Sequence, residues 1–285
     1  MRINGVTKRV ALIGSPLKRR HSAVMHNAAF EHFSIDARYE LREMQPDEIS
    51  GFAAEARGSD WFGFQVTAPY KQKVMTYLDE IEEGAQQIGA VNSVLRREGG
   101  SLVGFNTDAP GFQRAAEGEL DIRFAGLRVA VAGAGGVARA VVHALVAARA
   151  DSVTICDLDP TRATDLAAGF EGSVHAVAVG NEFEDSLREV DLAVNATTVG
   201  MIQPGVAFDP DVLPDSAVVF DLVYNPPESE LLRRSRARCL LASNGLVMLV
   251  AQAEIAFERW TGINGAGPIM RAALAADPGT DQLGG

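Results

Sequence analysis

Near the middle of the chain an apolar run, Val129-Ala130-Val131-Ala132, opens into Gly133-Ala134-Gly135-Gly136-Val137-Ala138, and an Ala-rich helix over 139–149 begins inside that motif. A second apolar run, Ser152-Val153-Thr154-Ile155-Cys156, ends on Asp157. These residue types at this spacing fit a dinucleotide site. Gly133 permits the tight turn, Gly135 lets the backbone approach a pyrophosphate, and Ala138 keeps the third position small where helix and strand pack. The helix start presents unpaired N–H groups and the positive end of its dipole to the phosphates. Asp157 is placed to accept hydrogen bonds from both hydroxyls of a ribose. A lone Gly-rich turn says little. Strand, turn, helix and a second strand ending in an acid together point to a dinucleotide.

The elements that must position this turn alternate between strand-like and helix-like runs along the whole chain, the signature of an α/β fold. Before the turn, strands are expected over 9–13, 37–41 and 63–67, and helices over 21–33, 45–57 and 73–88. A hairpin of 90–96 with 101–105 is expected around Glu98-Gly99-Gly100. After the turn, parallel strands are expected over 174–179, 192–195 and 217–221. Residues 244–260 read as one long amphipathic helix which, starting beyond the last of those strands, is placed to return to the first domain. The resulting division is 1–108 with 241–285 as one domain and 109–240 as a Rossmann domain. The polar, Gly-rich end over 277–285 reads as disordered.

At 285 residues the chain is long enough for two ordinary cores, and 47% hydrophobic with 22% charged residues is a globular composition. A formal net charge of −11 argues against nucleic acid or anionic lipid as a partner. It leaves room for a small anionic substrate in a local cationic pocket. No stretch approaches the ~18–20 apolar residues of a membrane span, and the first residues read as a strand rather than a signal peptide. Cys156 and Cys239 are too few for a disulfide framework, and the histidines lack metal-ligand spacing, so no metal is expected. A reducing, cytoplasmic setting follows. Oligomeric state stays open, a homodimer included.

Four further segments place polar residues at the ends of apolar strands or on an apolar helix, where ligands bind in open α/β sheets. They are Gln65-Val66-Thr67-Ala68-Pro69-Tyr70-Lys71, Gly89-Ala90-Val91-Asn92-Ser93, Asn106-Thr107-Asp108, and residues 244–253 with Gln252. With the central turn and Asp221-Leu222-Val223-Tyr224-Asn225-Pro226, their order and spacing resemble the shikimate/quinate dehydrogenase family over about residues 14–262. The resemblance implies an N-terminal α/β substrate domain, a Rossmann domain, and C-terminal helices returning to the first. It also implies reversible hydride transfer between a nicotinamide cofactor and a ring hydroxyl of a cyclic hydroxy-carboxylic acid.

Lys71 and Asp108 match the family's catalytic pair. Oxidising a secondary alcohol requires a proton to leave the oxygen as hydride leaves the carbon. A lysine in a cleft can exchange that proton while a carboxylate orients it. Proton carrier and electrostatic stabiliser are both open to Lys71. Asn92 matches an asparagine that meets substrate hydroxyls, or is a turn residue. Thr67 is a substrate contact or a helix N-cap, and Tyr224 and Gln252 match pocket-lining positions. Asn195, Ala196, Thr197 and Met201 resemble the loop against the nicotinamide. Leu222 counts with the cofactor residues, Gly245 resembles the glycine near that ring, and His26 falls where packing is the expected role.

Three departures bear on specificity. The family's first substrate serine, in His-Ser-x-Ser-Pro, is replaced by Arg20, while Ser22 keeps the second. Arg20 could pair a substrate carboxylate bidentately, fill the pocket, or turn to solvent. Gln65 stands where the family has asparagine, one methylene longer, which reshapes the pocket floor. Asp157-Leu158-Asp159 stands where NADP-using members have Asn-Arg-Thr. A carboxylate there repels a 2′-phosphate, so NAD is expected over NADP, with Arg162 close enough to keep NADP in play. The expectation is an NAD-dependent member acting on quinate, shikimate or a related carboxylated ring, rather than the biosynthetic NADP enzyme. A folate-linked methylene dehydrogenase is disfavoured by the Asn-Thr-Asp segment. A nucleotide-sensing regulator leaves Lys71 and Asp108 unexplained.

Overall fold

A computed structural model of the chain describes residues 7–17, 20–170 and 172–277. The chain divides into two compact units. One holds the residues up to Thr107 together with those from Val250 onward, and the other runs from Asp108 to Leu249.

In the first unit, β1 (Lys8–Gly14), β2 (Ala37–Glu43), β3 (Trp61–Val66), β4 (Glu80–Ile81), β5 (Ser93–Arg96) and β6 (Leu102–Phe105) form one sheet, ordered β2-β1-β3-β5-β6-β4. β1 pairs in parallel with β2 and β3, and β5 runs antiparallel to β3 and β6, as the expected hairpin requires. The helices α1 (His21–His32), α2 (Ile49–Glu55) and α3 (Glu83–Ile88) lie between them in sequence. Ile13, Ile49, Phe52, Trp61, Phe64 and Val66 close a core on one side.

The helix expected over 73–88 is instead a 3-10 turn (Lys73–Tyr77), then β4 and α3. The edge of β6 captures this stretch. Asp79 and Glu82 N–H groups donate to the Leu102 and Gly104 carbonyls at 3.0 and 2.9 Å, and the Asp79 carboxylate accepts from Leu102 N–H at 2.7 Å. Long-range pairing overrides local helix preference here.

The second unit contains α4 (Asp108–Leu120), β7 (Arg128–Ala132), α5 (Gly136–Ala147), β8 (Ser152–Cys156), α6 (Pro160–Ala167), β9 (Val174–Ala176) and α7 (Asn181–Leu187). It continues through β10 (Leu192–Asn195), β11 (Val218–Asp221), α8 (Glu230–Ala237) and β12 (Leu241–Asn244). All six strands are parallel, in the order β12-β11-β10-β7-β8-β9. This is the doubly wound Rossmann order, whose direction of growth reverses between β7 and β10. Strands buried on both faces are apolar throughout, which is why 129–132 and 192–194 read so clearly in the sequence.

β12 departs from expectation. It pairs in parallel with β11 from Val218↔Leu241 to Asp221↔Asn244. Residues 241–249 therefore lie with the dinucleotide unit, not with the first domain as the 241–285 boundary supposed. The long helix α9 (Leu246–Thr261) starts after Asn244, whose Oδ1 accepts from Leu246 N–H at 3.0 Å. A four-residue strand ending in Ser-Asn carries too weak an apolar signal to stand apart from that helix.

From Val250 on, α9 belongs to the first unit with α10 (Gly267–Ala276), which packs on α1. Trp260 of α9 donates its indole N–H to the Val94 carbonyl at 3.0 Å. Of the tail expected to be disordered, only Asp277 lies within the described residues. Among the described residues no helix is long and apolar enough to cross a membrane, and no His/Cys/Asp/Glu group could hold a metal ion.

Candidate active site

In the second unit the chain leaves β7 and turns at Gly133, where φ is +104°. A side chain there would be strained by the backbone alone, and its Cβ would lie 2.9 Å from the Ala196 carbonyl oxygen. Gly133 N–H donates to the Cys156 carbonyl at 2.7 Å, tying the turn to β8. Gly135 is the N-cap of α5 and brings no side-chain cap, so the N–H groups of Gly136, Val137 and Ala138 are left for an anion. A Cβ on Gly135 would meet only the Arg162 guanidinium, at 3.6 Å.

Asp157 stands just past β8. One carboxylate oxygen accepts from Ala134 N–H at 2.8 Å and the other from Asp159 N–H at 3.0 Å, and each oxygen keeps a lone pair for a further donor. Asp159 caps α6 through Thr161 N–H, which leaves Leu158 largely in solvent between two acids. Turn, cap and carboxylate fit a dinucleotide.

The loop after β10 is built on Asn195. Asn195 is fully buried and its amide is committed within the chain. Nδ2 donates to Asp221 Oδ1 at 2.8 Å and to the Val199 carbonyl at 3.1 Å, while Oδ1 accepts from Thr197 N–H at 3.0 Å and Thr197 Oγ1 at 2.7 Å. The Asn195 side chain thus builds the 196–199 loop, on which Ala196, Thr197 and Met201 are further candidates. Burial pushes the Asp221 carboxyl above its ordinary range, and the Ser229 hydroxyl, Val223 N–H and Asn195 Nδ2 pull it back down. A Cβ on Gly245 would lie 2.1 Å from the Leu222 carbonyl oxygen, so glycine is required for the chain after β12 to pass the end of β11. Tyr224 follows, half-buried.

In the first unit the residues marked for substrate share one buried chain of hydrogen bonds. The Tyr39 hydroxyl donates to Gln65 Oε1 at 2.6 Å, and Gln65 Nε2 donates to Gln252 Oε1 at 3.1 Å. Thr107 Oγ1 donates to that same oxygen at 3.2 Å. Asn92 Nδ2 donates to Thr107 Oγ1 at 3.0 Å, and Asn92 Oδ1 accepts from Thr107 N–H at 2.8 Å. All five residues are buried. Burial drives the Tyr39 phenol far above the ordinary tyrosine range, and the neighbouring Ser22 hydroxyl, in the first turn of α1, opposes it.

Thr67 follows β3, its N–H on the Ile13 carbonyl at 2.9 Å, and caps no helix among the described residues. Lys71 lies half-buried in the turn that follows, its carbonyl accepting from Val91 N–H at 2.9 Å. Asp108 opens α4 in the second unit and is buried. Arg20 pairs with Asp277 at the end of α10, its Nη2 at 2.5 Å, with the Arg20 side chain 52% exposed. Tyr39 escaped the sequence reading because it looks like any strand aromatic, and Thr107 stood in its motif with no role of its own.

Three family models match the chain: the shikimate dehydrogenase substrate binding domain over residues 12–94, shikimate / quinate 5-dehydrogenase over 114–202, and the shikimate 5'-dehydrogenase C-terminal domain over 245–275. Shikimate dehydrogenase (NADP(+)) of Geobacillus sp. (strain WCH70) is 37% identical over 260 residues, covering 90% of this chain and 93% of that protein. The crystal structure of shikimate 5-dehydrogenase from Thermus thermophilus, in complex with NADP(H) and shikimate, matches with a TM-score of 0.84 at 36% identity, over 94% of this chain and all of that one. Quinate dehydrogenase from Corynebacterium glutamicum, in complex with NAD, matches with a TM-score of 0.88 at 34% identity, over 95% and 99% of the two chains. Sequence and fold are thus shared nearly end to end with these enzymes. The chain belongs to the shikimate/quinate dehydrogenase family and is an NAD(P)-dependent oxidoreductase of that type.

Proposed function

We propose that this enzyme moves a hydride reversibly between NAD and a ring hydroxyl of shikimate, quinate or a related cyclic hydroxy-carboxylic acid. The observation that carries the cofactor choice is the Asp157 carboxylate, held beside the Gly-rich turn by Ala134 N–H and still able to accept from ribose hydroxyls. A 2′-phosphate would set its charge against Asp157 and Asp159. Gly133, Ala134, Gly135, Gly136, Val137 and Ala138 would hold the pyrophosphate, with Ala196, Thr197, Met201, Leu222 and Gly245 toward the nicotinamide. NAD, when bound, supplies the hydride acceptor. Lys71 exchanges the proton of the reacting hydroxyl at Nζ, and Asp108 orients that ammonium. Ser22, Thr67, Asn92, Tyr224 and Gln252 hold the ring through its hydroxyls. Arg20 takes the substrate carboxylate in exchange for Asp277.

A second reading, with NADP as cofactor, is supported by the Arg162 guanidinium beside Gly135 and by the NADP(+) in the names of relatives. Initial rates with NAD and NADP against shikimate and quinate separate the two. The expected result is a kcat/KM at least about tenfold higher with NAD, a preference that Asp157→Asn narrows. Equal or better use of NADP would overturn the NAD reading. No turnover of either acid would overturn the substrate reading.

A further inference from the structure

We propose that Gln65 is a positioning residue that locks the Gln252 carboxamide with Oε1 inward and Nε2 toward the bound ring, so that the site selects a substrate offering an acceptor oxygen at that point. The inference deepens the ring-acid reading above and rests on it. A glutamine amide is nearly symmetric in shape but not in polarity; turned over, it offers an acceptor where it offered a donor. An unconstrained Gln252 would therefore read hydroxyl and amino or carbonyl groups alike.

Here the orientation is specified from two sides. Gln252 Oε1 takes two donors, Gln65 Nε2 at 3.1 Å and Thr107 Oγ1 at 3.2 Å. The Thr107 hydroxyl, which accepts from Asn92 Nδ2 at 3.0 Å, reaches two acceptors, Gln252 Oε1 at 3.2 Å and Asn92 Oδ1 at 3.3 Å, so the firmer constraint on Gln252 comes from Gln65. Gln65 is directed from its other end, because the Tyr39 hydroxyl donates to Oε1 at 2.6 Å and leaves Nε2 as the end that faces Gln252. Turning Gln252 over would set its NH₂ against the Gln65 NH₂, where Gln65 is 4% exposed, and buried donors without acceptors are costly. Length matters as well. An asparagine at this position, one methylene shorter, would give up Tyr39 or Gln252.

The test uses the full-length enzyme and a substrate-analogue cycle. Gln65→Met keeps the length of the side chain and removes both of its hydrogen bonds. With shikimate, KM should rise about tenfold while kcat stays within about twofold and the KM for NAD is unchanged. Shikimate analogues each lacking one ring hydroxyl then locate the contact. For the analogue whose missing oxygen faces Gln252, wild type and Gln65→Met should have equal KM; for the others the gap of about tenfold should persist. Adding Gln65→Met to Gln252→Ala should change nothing further.

A merely structural role would raise KM equally for every analogue and would keep its effect beside Gln252→Ala. Either result, or an unchanged KM, overturns the proposal. Should thermal unfolding show that Gln65→Met does not fold, Gln65→Glu takes its place. Its carboxylate accepts where the amide donated, so Gln252 should turn over, and an analogue with an ammonium group at that ring position should then bind better than one with a carbonyl there, the reverse of the order in wild type. An order like that of wild type would overturn the proposal. If wild type itself turns over none of these acids, the substrate reading falls and takes this inference with it. That outcome is distinct from an active wild type indifferent to Gln65→Met.

Discussion

His26 of α1 is fully buried, its ring stacked on Tyr39 at 4.6 Å between centroids and flanked by Trp260 at 5.3 Å. Phe30 and Phe257 complete the surround, each at 6.4 Å. Burial pushes the imidazole from its ordinary 6.5 down to about 3, with the Gln65 side chain pulling the other way. Below its ordinary value the unfolded chain takes up a proton at His26 that the folded protein refuses. The unfolded state then binds more protons, so stability falls as pH falls, by ~1.36 kcal/mol per pH unit for this one group. The loss continues until the folded protein also protonates, near 3. From about pH 7 to about pH 4.5, His26 alone should remove about 2.5 kcal/mol. Carboxylates titrate over the lower part of that window too, so the assay is a difference: urea unfolding of wild type and His26→Phe across the range. A phenyl ring keeps the stack and never titrates, and its packing cost enters as a constant offset. The stability gap should therefore move by about 2.5 kcal/mol in favour of the variant as the pH is lowered. Parallel pH profiles would refute the assignment of His26 as an imidazole held neutral by the core.

Lys71→Ala should lower kcat by about 10²–10⁴, the range for loss of a positioned proton-transfer group, with a smaller change in KM. Steady-state rates across pH check this, and retention of most of the kcat would remove Lys71 from the chemistry. Asp277→Asn takes away the partner that holds Arg20. The pair is half-exposed on the Arg20 side, so thermal unfolding should register a change below ~1 kcal/mol. The released guanidinium should lower the KM for shikimate by about threefold or more, and Arg20→Gln should raise it. A KM indifferent to both substitutions would mark Arg20 as a surface charge.

The cofactor half of the site was legible because its chemistry is made by backbone. Gly133 must be glycine for its φ and for its approach to Ala196, Gly135 must leave the start of α5 uncapped, and both demands print themselves in the sequence as glycines at fixed spacing. The parallel strands around them are buried on both faces and therefore print as unbroken apolar runs. Short edge elements do not. β12 and β4 are set by pairing with β11 and β6, partners far away in sequence, and residues of mixed polarity follow whichever edge captures them. Asn195 shows the same limit at the level of a side chain: no local pattern announces that its amide bonds Thr197, Val199 and Asp221 and so builds the loop.

The substrate half is written in side chains that meet only after folding, and there a single methylene carries information that no local pattern expresses. Gln65 and Gln252 are separated by 187 residues, and Thr107 and Gln252 by 145, yet the three amide and hydroxyl groups specify one another's orientation. Read alone, Gln65 is a conservative change from asparagine. Joined to Tyr39, Thr107 and Asn92, it decides which end of Gln252 a substrate meets. Specificity in such a site is a property of the connected set, so substitutions within it should be strongly non-additive. Substitutions in the Gly-rich turn, where each residue answers its own steric demand, should combine more nearly as independent costs.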